Sequence, residues 1–140
     1  MKIYFAGSIR GGRDNRELYC GIISLLQKYG TVLTEHIGNQ TLSDQGEFER
    51  SDELIFKRDV KLLDECDVVI AEVTTPSLGV GYEIGRIENK KPILCIYQEQ
   101  ENKKLSAMLA GNDNLQTERY ETLSDVDKLL EEFTRNLNLP

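Results

Sequence analysis

Short apolar runs and helix-period segments alternate along this chain, and that alternation limits its fold more than any other feature. Ile3 to Ala6 is an apolar run that breaks into Gly7-Ser8-Ile9-Arg10-Gly11-Gly12-Arg13, the pattern of a buried strand followed by a loop. Leu18, Ile22, Leu25, Leu26 and Tyr29 then recur at helical spacing, with Gly30 where a C-terminal cap belongs, and Thr31 to Ile37 reads as a second strand. Residues 38 to 50 are polar and rich in turn formers, so a loop is expected there, leading to a helix from near Ser51 to about Glu65.

Asp67 opens Val68-Val69-Ile70-Ala71-Glu72-Val73, the clearest β-branched run, which Thr74-Thr75-Pro76-Ser77 ends. A third helix is expected from after Ser77 to around Asn89, and Pro92 to Tyr97 gives a fourth buried strand. Lys103 to Ala110 fits a short helix and Gln116 to Tyr120 an edge strand. Ser124 with Asp127 resembles a capping box, and Val126, Leu129, Leu130, Phe133 and Leu137 line one face of a last helix.

Strands separated by helices pair in parallel through right-handed crossovers, which gives an α/β three-layer sandwich. The expected architecture is a flavodoxin-like or Rossmann-like five-stranded parallel sheet of order 2-1-3-4-5. The 140 residues form one domain, large enough to bury about two thirds of the unfolded chain's surface. In that topology the winding reverses between the first and third strands, and ligands bind beyond their carboxyl ends, at Gly7 to Arg13 and Thr74 to Glu83.

Charge narrows the partners. With 17 Lys and Arg against 24 Asp and Glu the formal charge is -7, which repels nucleic-acid polymers and anionic membranes while leaving room for a small anion held locally. The start of the chain is too short an apolar run for a signal sequence, and no run reaches membrane-spanning length. Cys20, Cys66 and Cys95 are widely spaced and, with His36 the single histidine, offer no zinc pattern, so no metal, no cofactor and a reducing cytoplasmic setting are expected.

Both loops at the switch point suit an anion. Gly7, Gly11 and Gly12 allow close approach of backbone N–H groups, and Ser8, Arg10 and Arg13 add donors suited to phosphate. Ser77-Leu78-Gly79-Val80-Gly81 leads into a helix N-terminus, where free N–H groups favour negative charge. Neither loop is a Walker or dinucleotide motif, and the ordinary tight turn stands as the alternative for each.

Glu83 lies about one helical pitch, roughly 5.4 Å, beyond Gly79, where a phosphate held at Ser77 and Gly79 would place a sugar ring; a solvated glutamate is the alternative. Asp59 interrupts the apolar face of Ile55, Leu62, Leu63 and Cys66, a costly position for a carboxylate unless it is partnered or functional. Capping a loop or pairing with Arg10 or Arg13 is the structural alternative, and about two turns of helix set Asp59 deep relative to the strand ends. Tyr4, on a central strand, needs a partner for its hydroxyl if it is buried, with an ordinary core tyrosine as the alternative, and His36 at the end of the second strand is placed to line the same pocket, with a structural histidine as the alternative. Ser106 reads as a helix-start residue. The cysteines read as core fillers.

Tyr4 to Arg13, Leu33-Thr34-Glu35-His36, Asp67 to Val73, Pro76 to Arg86 and Leu105-Ser106-Ala107-Met108 closely resemble the 2'-deoxynucleoside 5'-monophosphate N-glycosidases of the nucleoside 2-deoxyribosyltransferase superfamily. The resemblance implies hydrolysis of a deoxynucleoside monophosphate to free base and 2-deoxyribose 5-phosphate. It makes Glu83 the nucleophile at C1', gives Asp59 acid/base work and base contacts, and has Tyr4 orient the nucleophile. It puts Ser8, Arg10, Ser77, Gly79 and, from the neighbouring subunit of a homodimer, Ser106 at phosphate-binding positions. Gly7, Ile9, Gly12 and Met108 accompany them as substrate-binding residues, and His36 corresponds to a position near the base.

Two segments depart from the pattern. Ile87-Glu88-Asn89-Lys90-Lys91-Pro92 is more charged and one residue shorter, and the Gly38 to Arg50 loop differs. Transferases of the superfamily, which act on unphosphorylated nucleosides, resemble an Asn-x-Met pattern where this chain has Ser106-Ala107-Met108; the serine favours a phosphate. A deoxynucleotide-binding module without turnover is the third possibility on this fold, and it would not need Glu83.

Overall fold

A parallel sheet of order β2-β1-β3-β4-β5 organises the protein in a computed structural model that describes residues 1–9, 12–38 and 51–139. The strands are β1 (Lys2–Gly7), β2 (Thr31–Val32), β3 (Val68–Glu72), β4 (Ile93–Tyr97) and β5 (Gln116–Arg119). The helices are α1 (Gly12–Leu26), α2 (Asp52–Glu65), α3 (Leu78–Ile87), the single turn α4 (Ala107–Ala110) and α5 (Leu123–Arg135). This is the expected sandwich and strand order.

Alternation along the strands builds two cores. Ile3, Phe5, Val68, Ile70, Leu94 and Ile96 face α1 and α5, where Tyr19, Ile22, Leu26, Val126, Leu130 and Phe133 meet them. Tyr4, Ala6, Val69, Ala71, Ile93 and Cys95 face α2 and α3 and pack on Leu63, Cys66, Val80, Ile84 and Ile87. Burial pushes the Cys66 thiol up to about 11 and the Cys95 thiol up to about 12, which agrees with core filling.

The second strand is much shorter than its sequence indicates, for a visible reason. Leu33 N still donates to Ile3 O at 2.8 Å, but the fully buried Thr34 then substitutes its side chain for a strand backbone. Its hydroxyl accepts from Phe5 N at 2.8 Å and donates to Phe5 O at 2.7 Å. With those groups satisfied, the chain leaves the sheet into a 3-10 turn, Glu35–Gly38, that carries His36.

Other expectations shift at element ends. Helix α1 stops at Leu26, so Tyr29 lies beyond it, and Gly30 serves a close approach: a Cβ there would stand 2.2 Å from the Met1 carbonyl oxygen. The capping box of α5 is Thr122 with Asp125, two residues earlier than Ser124 with Asp127, and Leu137 falls past the helix end. Helix α3 ends at Ile87, and the charged segment after it includes Lys91, whose ammonium donates to Leu63 O at 3.0 Å, Asp64 O at 2.6 Å and Cys66 O. Lys91 thus satisfies the free carbonyls at the C-terminus of α2. The expected loop over residues 39–50 lies outside the described residues.

Candidate active site

Three chain segments deliver polar groups to one depth below the carboxyl edge of the sheet. Tyr4 lies three residues before the end of β1, about 10 Å down at strand rise. Helix α2 runs antiparallel to the strands from its Ser51 cap, and eight residues of helical rise bring Asp59 about 12 Å down. From the Ser77 cap of α3, six residues bring Glu83 about 9 Å down. The depth of Asp59 is therefore the depth of the site.

Tyr4 is fully buried, and its hydroxyl donates to Glu83 Oε1 at 2.9 Å. Burial pushes the Glu83 carboxyl up to about 7; the Tyr4 hydrogen bond opposes that rise and the Asp59 charge adds to it. Tyr4 itself is raised well above the ordinary phenol range, first by burial and then by the Glu83 and Asp59 charges. Glu83 is thus half-buried and desolvated rather than a glutamate projecting into solvent. Oε2 carries no hydrogen bond from the described residues, so one carboxylate oxygen is fixed and the other is available.

Asp59 shares the half-buried face of α2 with Ile55 and Leu62. Its Oδ1 accepts from Arg58 Nε at 2.8 Å and stands 3.9 Å from His36 Nε2. His36 reaches Asp59 from the 3-10 turn and not from a strand end, a consequence of Thr34 ending the second strand. Arg58 escaped the sequence reading because no periodicity marks a charged residue next to the one it neutralises. Arg10, the other expected partner, and the Arg13 side chain lie outside the described residues.

The end of β1 and the start of α3 lie above this group. Gly7 ends β1 beside Glu72, and Ser8 and Ile9 follow, with Ser8 buried at 4% exposure. Gly7 serves packing: a Cβ there would stand 2.9 Å from the Tyr19 ring, on the face away from Glu83. Gly12 opens α1. Asn15 Nδ2 donates to Thr75 Oγ1 at 3.3 Å, which ties the start of α1 to the turn after β3. The Ser77 hydroxyl caps α3 by accepting from Val80 N at 3.3 Å, and a Cβ on Gly79 would meet only that hydroxyl, at 3.8 Å.

Ser77, Ser106 and Met108 line a separate groove of about 1040 Å³ on the other side of α3, whose walls include none of Tyr4, Asp59 and Glu83. Ser106 caps α4, accepting from Met108 N at 3.3 Å, while Met108 is 80% exposed. Within one chain, then, the structure gathers Tyr4, Glu83, Asp59 and His36 and leaves Ser106 and Met108 apart from them.

A desolvated carboxylate held by a phenol, with a second carboxylate and an imidazole beside it, is equipped to attack an electrophilic carbon and to serve a leaving group. Together with the switch-point loops, it defines a small-molecule enzyme site on a doubly wound α/β fold.

The sequence model described as nucleoside 2-deoxyribosyltransferase matches residues 3–139, and the chain belongs to that family. It is 48% identical over 140 residues to a protein of Tetraodon nigroviridis named 5-hydroxymethyl-dUMP N-hydrolase, covering 97% of this chain and 99% of that one. A human protein of the same name is 46% identical over 136 residues, covering 94% of this chain and 78% of its own. Among solved structures, a 2-deoxyribosyltransferase of Bacillus psychrosaccharolyticus superposes with a TM-score of 0.66 at 20% identity, covering 91% of this chain and 90% of the other. The CMP N-glycosidase of Clostridium botulinum gives 0.64 at 22% identity, with coverage of 95% and 99%. These two support the fold.

Proposed function

We propose that the protein hydrolyses the N-glycosidic bond of 2'-deoxynucleoside 5'-monophosphates, releasing the free base and 2-deoxyribose 5-phosphate. The observation that carries this is the Tyr4–Glu83 pair: a half-buried carboxylate with one oxygen fixed at 2.9 Å from a phenol and the other without a hydrogen bond from the described residues, beside the Asp59–His36 group. The family and the names of its N-hydrolase relatives agree with it.

Glu83 Oε2 attacks C1' as the C1'–N bond breaks, and the bonding pair leaves with the base, which takes a proton on the Asp59–His36 side. The Glu83 charge stabilises the oxocarbenium-like centre before the ester closes. Water then attacks C1' of the deoxyribosyl ester, its proton passes to a site carboxylate, and Glu83 is freed. Oε1 stays with Tyr4 throughout, so the attacking oxygen is always the same one.

The phosphate is read at the carboxyl edge by Ser8, Arg10, Ser77 and the backbone at Gly7, Ile9, Gly12 and Gly79. A partner subunit supplies Ser106 and Met108. Support for a homodimer comes from the groove beside α3: Leu78 is 97% exposed there, and Cβ atoms on Gly81 and Gly85 would meet nothing within 4 Å. Such glycines cost helix stability, about 1 kcal/mol each, without an internal packing return. A cytoplasmic setting fits three cysteines with no disulfide among them. Among the described residues no helix is long and apolar enough to cross a membrane.

The test is chromatography of the purified protein with 5-hydroxymethyl-dUMP, dGMP, their nucleosides and GMP, each with and without a second free base. Free base and 2-deoxyribose 5-phosphate from the deoxynucleoside monophosphates alone is the expected result. A new glycoside formed only with the added base would make the protein a transferase. Loss of turnover in Glu83→Ala with retained nucleotide binding separates hydrolysis from a binding module.

A further inference from the structure

A second carboxylate is buried near the anion loops and takes no part in the chemistry above. Glu72 is 1% exposed at the end of β3, on the sheet face opposite Glu83, where Val68 and Ile70 occupy the equivalent alternating positions. An apolar residue there would pack without the cost of desolvating a carboxyl, so a buried glutamate at this position calls for a role.

Its contacts indicate one. Glu72 Oε1 accepts from the Thr74 hydroxyl and from the Tyr120 hydroxyl at 3.0 Å. The Thr74 hydroxyl also accepts from Gln98 N at 2.9 Å, just past β4. Sheet pairing on this stretch continues to Val73, whose N donates to Ile96 O at 2.9 Å. Beyond Val73 the turn is fastened by side chains: Thr74 through Glu72, and Thr75 through Asn15. Two residues later Ser77 caps α3.

We infer that Glu72 is a positioning residue for phosphate recognition, anchoring Thr74 so that the turn to Ser77 presents the α3 N-terminus at a fixed place over the pocket. The inference rests on the phosphate reading of that turn. The body of α3 has its own restraints, with Val80, Ile84 and Ile87 in the core and Glu83 on Tyr4, so loosening the turn affects phosphate binding ahead of the glycosidic chemistry. A displacement of an ångström in such a contact is enough for a loss of up to about 100-fold.

Competitive inhibition by inorganic phosphate reads this directly, with monophosphate and nucleoside turnover measured on the same preparations. Thr74→Val removes the bridging hydroxyl at constant shape, Thr74→Ser restores it, and Glu72→Leu removes the anchor; melting curves confirm folding. The expected result is a phosphate inhibition constant raised at least about 10-fold in Thr74→Val and Glu72→Leu, kcat within about 3-fold of native, and near-native behaviour in Thr74→Ser. If Glu72→Leu does not fold, the Thr74 pair decides. Native phosphate inhibition in Thr74→Val, or an equal loss in Thr74→Ser, overturns the role of Glu72 and leaves the phosphate reading intact. A native enzyme that ignores phosphate and cleaves the nucleoside as well as the monophosphate overturns both, and is recognised before any variant is made.

Discussion

Replacing Glu83 by glutamine converts its burial into a measurable dependence of stability on pH. In the unfolded chain this carboxyl ionises at its ordinary value of 4.5, and in the folded protein burial holds it up to about 7. Between those values the unfolded state has released a proton that the folded state still binds, so native stability falls as pH rises from about 4.5 to 7. At about 1.4 kcal/mol per tenfold, the full loss is about 3 kcal/mol and is complete above the folded value. Glutamine keeps the acceptor for Tyr4 at 2.9 Å and places its amino group at Oε2, which has no hydrogen bond from the described residues. The variant therefore matches the native protein within a few tenths of a kcal/mol near pH 4 and exceeds it by about 3 kcal/mol at pH 8. For a chain of this size that is a difference of about 10 °C in melting temperature, seen by calorimetry across the pH range. A difference between the two proteins that does not change with pH would refute the claim that Glu83 is desolvated.

Tyr4→Phe removes the bond that favours the Glu83 carboxylate, so the ascending limb of kcat/KM, expected near pH 7 in the native enzyme, moves to higher pH in a rate profile. Thr34→Val leaves Phe5 N–H and C=O unpaired in the core and is expected to cost about 2 to 4 kcal/mol in urea unfolding, with most of it recovered in Thr34→Ser. Lys91→Met exposes three carbonyls at the end of α2 and lowers stability by about 1 to 3 kcal/mol, read by the same method.

The short second strand shows where local reading ends. Thr31 to Ile37 has the composition of a strand, and nothing in its spacing reveals that Thr34 will take over the N–H and C=O of Phe5, 29 residues away in sequence. Gly30 likewise looks like a helix cap until the Met1 carbonyl is seen to need its space. Asp59 was visible because a carboxylate on an apolar stripe breaks a pattern. Glu72 broke a pattern too, inside a β-branched run, yet its partners Thr74 and Tyr120 could not be read from it, because one of them arrives from beyond β5.

What the sequence determined by itself was the succession of strands and helices, the parallel sheet and the two loops at its switch point, because periodicity and turn chemistry are local properties. The tertiary structure decided which polar residues meet. Tyr4, Asp59 and Glu83 come from three separate elements, and their rises along a strand and two helices antiparallel to it bring them to one level within the protein. The raised pKa of Glu83 belongs to that meeting, since desolvation is a property of surroundings that no single segment possesses.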